Sequence, residues 1–203
     1  MGFTSQRFSK LLMSEAGVVK SFSGFTLVSI GILLATSGGS WDISNHLLNK
    51  PETFFAPPHA VLYSGVAIAI VGTIVSYLSR KKHDSGWHLK LVVVGIALLA
   101  TAGPIDFSWH SMFGLDGLLS PPHFVLVLGM VLSSLGALAA TPRVYRSRLT
   151  IALAILPLWL ALSAMLYMFS LPFSKTNYLD FNPNPDFAAV LASIGFPFII
   201  SLM

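Results

Sequence analysis

Cysteine is absent from this 203-residue chain, and charge is scarce, with only 10% Asp, Glu, Lys and Arg. Without cysteine there is no disulfide, no iron–sulfur cluster, no thiolate zinc site and no covalently attached c-type haem. Any metal must rest on histidine, carboxylate, methionine or water. A soluble domain carries about 25% charged residues; this chain is instead 54% hydrophobic, with a mean hydropathy of +0.76. Such a chain belongs in lipid. Its net charge of +4 and pI near 9.5 do not point to nucleic acid, because the basic residues fall in short clusters between long apolar runs. The N-terminus, MGFTSQRFSKLLMSEAG, is weakly amphipathic and basic. It lacks the apolar core and small-residue cleavage site of a signal peptide. Gln6 stands where a myristoylation signal needs Ser or Thr.

About 20 mostly apolar residues cross a bilayer as a helix. By that measure the sequence predicts an all-α, polytopic transmembrane bundle of six spans, near 22–42, 58–78, 88–108, 122–141, 149–170 and 187–203. The last is short and has no polar flank, so the natural chain is expected to continue past Met203. Ten cations lie on one side of these spans: Arg7, Lys10, Lys20, Arg80, Lys81, Lys82, Lys90, Arg143, Arg146 and Arg148. Only Lys50 and Lys175 lie on the other. The positive-inside rule makes the first side cytoplasmic, together with the N-terminus. His83 and His88 then sit in a solvated cytoplasmic loop. The loops before residues 58 and 122 are extracytoplasmic.

One stretch occurs twice. Residues 41–65 and 105–129 align without a gap at an offset of 64, pairing Asp42 with Asp106, His46 with His110, and Pro57-Pro58-His59 with Pro121-Pro122-His123. Ser44, Val61, Leu62 and Gly65 recur as Ser108, Val125, Leu126 and Gly129. Each copy reads Asp-x3-His-x12-His. The repeating unit is a helical hairpin, and direct repeats put equivalent loops on one membrane face. This divides the chain into an N-terminal segment 1–21, hairpins 22–85 and 86–148, and a third segment 149–203. A further shift by 64 brings Asp116 onto Asp180, Pro121 onto Pro185 and His123 onto Phe187, so a third hairpin would have lost its ligands.

Asp and His four residues apart share one face of a helix, one turn from each other. A Pro-Pro start then fixes the second His in the first turn of the returning helix and aims it back at that pair. Asp plus two His is a transition-metal ligand set with coordination positions left open. Taken singly, a His at a helix end, an Asp at a span boundary or a Pro-Pro is an ordinary interfacial or capping feature. The same triad at the same spacing twice is not explained by capping, and ionisable groups at the edge of a span are costly without a partner. The metal candidates are therefore Asp42, His46, His59, Asp106, His110 and His123. Whether they form one site or two, the spacing leaves open. Trp41, Phe54, Phe55, Tyr63, Trp109 and Phe113 cluster at the same level, as an interfacial aromatic belt or as the wall of an apolar pocket. Gly38-Gly39 and Gly103-Pro104 are places where either helix can loosen or kink. Met112 and Met130 are candidate soft ligands or packing residues. Glu52 and Asp116 are candidate partners for an imidazole N–H, or solvated loop charges.

The Asp-x3-His-x12-His motif crossing between two membrane helices resembles the C subunit of the copper membrane monooxygenases, the particulate methane and ammonia monooxygenases. The resemblance is strongest in Asp42, His46, Phe55, Pro57, His59, Leu62, Tyr63 and Ser64, and as a whole it covers about 125 residues, the first four spans. His110 and His123 are similar to a second His-x12-His of that family. The complete Asp in the second copy and the doubled prolines depart from the family pattern. The resemblance implies copper on Asp42, His46 and His59, a second set on Asp106, His110 and His123, and assembly with other membrane subunits. It also implies O2-dependent oxidation of a small molecule. Zinc or iron is the alternative metal, and a homo-oligomer the alternative assembly. Rival functions are metal transport or delivery, a b-haem protein with two His ligands, and a non-catalytic structural subunit.

Overall fold

The computed structural model describes residues 3–48, 50, 53–80, 86–114, 117–141, 147–172 and 179–202, with side chains from residue 24 onward. The described residues form six α-helices and no strand: α1 (Phe3–Leu47), α2 (Pro57–Ser79), α3 (Trp87–Phe113), α4 (Pro121–Ala140), α5 (Arg148–Ser170) and α6 (Pro185–Ser201). The all-α bundle expected from the sequence is the observed architecture.

Five helices are long and apolar enough to cross a membrane, with α1 contributing Gly24–Leu47. The expected sixth span is α6, whose 17 residues fall below that length. The N-terminal segment, expected to precede the first span, is continuous with it: α1 is a single helix of 45 residues, about 68 Å long at 1.5 Å per residue. Both ligand-bearing helices outrun their expected ends at 42 and 108. α1 reaches Leu47 and α3 reaches Phe113, so His46 and His110 lie in final turns. His88, expected in a solvated loop, is instead in the first turn of α3, half-buried with its ring against Phe25 at 5.5 Å. His83, Lys81, Lys82, Arg143, Arg146, Lys175, Glu52 and Asp116 lie outside the described residues.

α2, α4 and α6 start at Pro57, Pro121 and Pro185, each 64 residues after the last. A helix start leaves four N–H groups without partners. Pro supplies none and its fixed φ suits the first turn, so α2 and α4 begin without a side-chain cap. α5 and α6 use caps: Ser147 Oγ accepts from the Thr150 N–H, and Asn184 Oδ1 accepts from the N–H groups of Asp186 and Phe187.

The hairpins are held by backbone contact. A Cβ on Gly31 would lie 2.5 Å from the Gly65 carbonyl oxygen, and one on Gly65 would lie 2.5 Å from that of Gly31. The second hairpin repeats this 64 residues on, with 2.6 Å from Gly95 to the Gly129 oxygen and 2.7 Å in the other direction. Lipid gives apolar helices no hydrophobic reason to associate, so small residues that admit close packing drive the pairing. In the third hairpin the corresponding positions are Trp159 and Ser193. The Trp159 indole donates to the Ile199 carbonyl at 2.8 Å instead, and α5 and α6 touch less than either earlier pair. α1, α4 and α5 meet at the centre. Val28, Ile32, Leu62, Val92, Leu99, Met130 and Ala161 fill the core, while Val71, Ile74, Leu78 and Val94 face outward, as helices in lipid allow.

Gly65→Ala is expected to destabilise the protein by about 1–3 kcal/mol, because the added methyl meets backbone rather than a movable side chain. Gly39→Ala, whose Cβ would find its nearest neighbour at 3.9 Å, is expected to stay within about 0.5 kcal/mol. Thermal unfolding of the detergent-solubilised variants measures both.

Candidate metal centre

The hairpin geometry brings each outgoing helix end beside the start of its returning helix. Asp42 and His46 sit one turn apart at the end of α1, and His59 is the third residue of α2. His46 Nε2 lies 3.6 Å from Asp42 Oδ2, and His59 Nε2 lies 3.1 Å from Asp42 Oδ1. The second copy is tighter: both of its imidazoles approach one carboxylate oxygen, and among the described residues it alone brings three such ligand atoms together. His110 Nε2 and His123 Nε2 lie 3.5 and 3.2 Å from Asp106 Oδ1, and 3.2 Å from each other. One ligand atom from each of Asp106, His110 and His123 lies within 4.8 Å of the other two, close enough to hold one metal ion. Asp42, His46, His59 and Asp106 are buried, and His110 and His123 nearly so.

Backbone carbonyls fix the imidazoles. The Nδ1 atom of His59 lies 2.9 Å from the Thr53 carbonyl oxygen, and that of His123 lies 3.3 Å from the Gly117 oxygen. Thr53 and Gly117 are themselves 64 apart, so the repeat extends to the atoms that orient its rings. His110 Nδ1 lies 3.0 Å from the Gly114 oxygen. A carbonyl oxygen only accepts, so each of these nitrogens donates to it, which turns the ring's Nε2 toward the centre. This is how protein metal sites set the tautomer of a ligating histidine.

The consequence is electrostatic. At the second triad a carboxylate oxygen and two imidazole nitrogens converge within 3.5 Å of one another. Asp42 Oδ1 and Asp106 Oδ1 are buried and accept no hydrogen bond, although an imidazole nitrogen lies 3.1 and 3.2 Å away. The nitrogens are near but not aligned to donate. Buried lone pairs facing one another are unfavourable. One extra proton would relieve a single pair, whereas a metal cation satisfies all three atoms at once. The donor set fits a transition metal.

The two triads are also neighbours. The His46 ring meets the His110 ring edge-on, with centroids 5.4 Å apart, and lies 6.4 Å from that of His123. Asp42, His59, Asp106 and His123 line one cavity of about 70 Å³. Its remaining wall is chiefly apolar: Ile43 from α1, Leu62 and Tyr63 from α2, Phe107 from α3, Met130 from α4, and Ala164 and Met168 from α5. A cavity of that size holds a molecule of a few heavy atoms and not a porphyrin.

All six metal candidates from the sequence therefore lie at one end of the bundle, four of them lining one cavity, with the His46 and His110 rings in contact beside it. The other candidates divide. Tyr63 faces the cavity, and Phe54 joins it in a cluster with Phe107 at 5.1 and 5.2 Å. Trp109 and Phe113 stack on each other at 4.7 Å, whereas Trp41 and Phe55 are exposed, as interfacial residues are. Met130 is buried at the cavity, with its sulfur 3.6 Å from the Thr36 hydroxyl. Met112 is 69% exposed and outside the cavity, which removes it as a ligand. Gly38 and Gly103 serve close packing: a Cβ would lie 2.5 Å from the Leu62 nitrogen and 3.1 Å from the Tyr63 ring, respectively. The carbonyls of Thr53, Gly114 and Gly117, and the α5 wall, had no sequence signal beyond the two glycines.

Compared with protein-family models, curated proteins and solved structures, the chain has no match in any of the three.

Gly114 sits at φ 71, ψ −160, which only glycine adopts at little cost. Gly114→Val is expected to displace the carbonyl that holds His110 and to weaken metal binding by about 10–100-fold. Chelator competition measures the affinity, with helical circular dichroism unchanged.

Proposed function

We propose that this chain is an integral membrane metalloprotein that binds copper at the Asp/His/His centre and acts as the C-type subunit of a copper-dependent membrane monooxygenase. The observation that carries the reading is the convergence of Asp106 Oδ1, His110 Nε2 and His123 Nε2 beside an apolar cavity.

Copper is favoured on chemical grounds. A site of imidazole nitrogen and carboxylate oxygen, with no thiolate, binds divalent copper most tightly of the first-row metals. Three protein ligands leave positions open, and a bound redox metal there supplies O2 activation. The chain's own residues do the rest. Thr53, Gly114 and Gly117 hold the rings in a ligating tautomer. Asp42 and Asp106 balance cationic charge in a place water reaches poorly. Leu62, Phe107, Met130 and Met168 form an apolar wall against which a small, weakly polar substrate rests. The excess of Lys and Arg on the opposite side supports an extracytoplasmic position for the centre. The resemblance to the monooxygenase C subunit in Asp42, His46, Pro57, His59 and the residues that follow adds partner subunits to this reading.

Elemental analysis of the detergent-purified protein is expected to find copper, and His59→Ala and His123→Ala are each expected to lower it. Unchanged metal content in both variants refutes the reading. Ala164→Trp fills the cavity from α5, away from every ligand. It is expected to reduce O2-dependent substrate oxidation by the assembled complex roughly tenfold or more, with copper content preserved.

A further inference from the structure

We infer that the two triads are halves of one dinuclear centre, in which two metal ions face each other across the single cavity and act on one bound molecule. The inference rests on the metal-binding reading above and goes beyond it, since two duplicated motifs are equally compatible with two independent mononuclear sites.

The separation of the triads is what decides. Two duplicated sites on separate hairpins would be insulated from each other by packed side chains. Here nothing intervenes: the His46 ring, from the first triad, lies in edge contact with the His110 ring from the second, at 5.4 Å between centroids. Its distance from His123 is 6.4 Å. Asp42 and His59 on one side, and Asp106 and His123 on the other, open on the same cavity. Two-metal sites hold their ions about 3.5–4 Å apart, which requires two ligand sets that share one space.

Charge and symmetry agree with this geometry. Each triad brings one carboxylate, Asp42 or Asp106, and each carboxylate has a buried oxygen that accepts no hydrogen bond. Two cations placed together need two counter-charges, and the repeat supplies them as a pair. The tautomers are matched as well: His59 and His123, the equivalent ligands, are held by equivalent carbonyls at Thr53 and Gly117. The pair of ions would take a small ligand with donor atoms able to bridge them, held against the apolar wall from α5.

The test loads the purified full-length chain with Cu(II). Dinuclear binding gives about two copper ions per chain, an electron paramagnetic resonance intensity well below that of two isolated spins, and a half-field transition. His59→Ala and His123→Ala should each leave about one copper per chain, with the full intensity of an isolated ion. Asp106→Asn keeps the side-chain shape, guards against misfolding in the histidine variants, and should likewise abolish the half-field signal. Two coppers per chain with full, uncoupled intensity overturn the dinuclear centre and leave the metalloprotein reading standing. A single copper per wild-type chain also overturns it. No bound copper overturns the proposed function itself.

Discussion

A carboxylate on the last turn of one helix reaches an imidazole on the first turn of the next only if the two helix axes run nearly in contact. The centre depends on that constraint. Gly31 against Gly65 and Gly95 against Gly129 bring backbone to backbone at mid-helix. Gly38 continues the approach in the first hairpin to within one turn of Asp42, where a Cβ would lie 2.5 Å from the Leu62 nitrogen. Leucine-sized residues at these crossings would spread the helices, and His59 would no longer meet Asp42. The third hairpin shows the converse. With Trp159 and Ser193 at the glycine positions, Ser170 and Phe187 stand where the Asp and the last His would be, and Phe187 turns outward with 54% of its surface exposed. Close packing and ligands are lost together.

The second requirement is fixed orientation. A histidine in a helix can turn its ring, and a ring whose Nε2 carries the proton cannot bind metal through that atom. Proline starts and the loops that precede them answer this. Pro57-Pro58 and Pro121-Pro122 place His59 and His123 at one helical position. The loop behind each turns back so that a carbonyl, Thr53 or Gly117, meets the Nδ1 proton. Gly117, at φ +107, packs against the Phe181 backbone, and the Leu119 N–H donates to the Phe181 carbonyl at 3.2 Å. The third hairpin thus supports the loop that orients a ligand although it contributes none.

Much of this was legible in the sequence because duplication doubles every signal. A single Asp-x3-His is common on helices; the same triad at an offset of 64 identifies all six residues the structure brings together. Helix existence followed from apolar run length. Helix ends did not, because α1 and α3 continue through polar residues, and α3 through Pro104, on the strength of tertiary packing. The orienting carbonyls were invisible, since every residue carries one and nothing in a side-chain pattern marks which is used. Met130 and Met112 looked alike as apolar residues near the site, and only the packing of α1 on α4 buries one and exposes the other. The same holds for α5: nothing in the sequence singles out Ala164 and Met168, and they become a cavity wall through the packing of α5 on α1 and α4.

That closure also explains why two triads on separate hairpins ended as neighbours, which the linear repeat left undecided. A hairpin with ligands at one end has one face that buries them and one that does not. Exposing an Asp and two His to hydrocarbon is costly, so the ligand-bearing face of each hairpin must find protein. The cheapest protein face with matching polarity is the equivalent face of the other copy. His46 accordingly packs on His110, and each triad serves as the polar environment of the other. The arrangement lowers the cost of burying six ionisable side chains before any ion is present. It also makes the two halves interdependent, so that loss of ligands in one would strand the other.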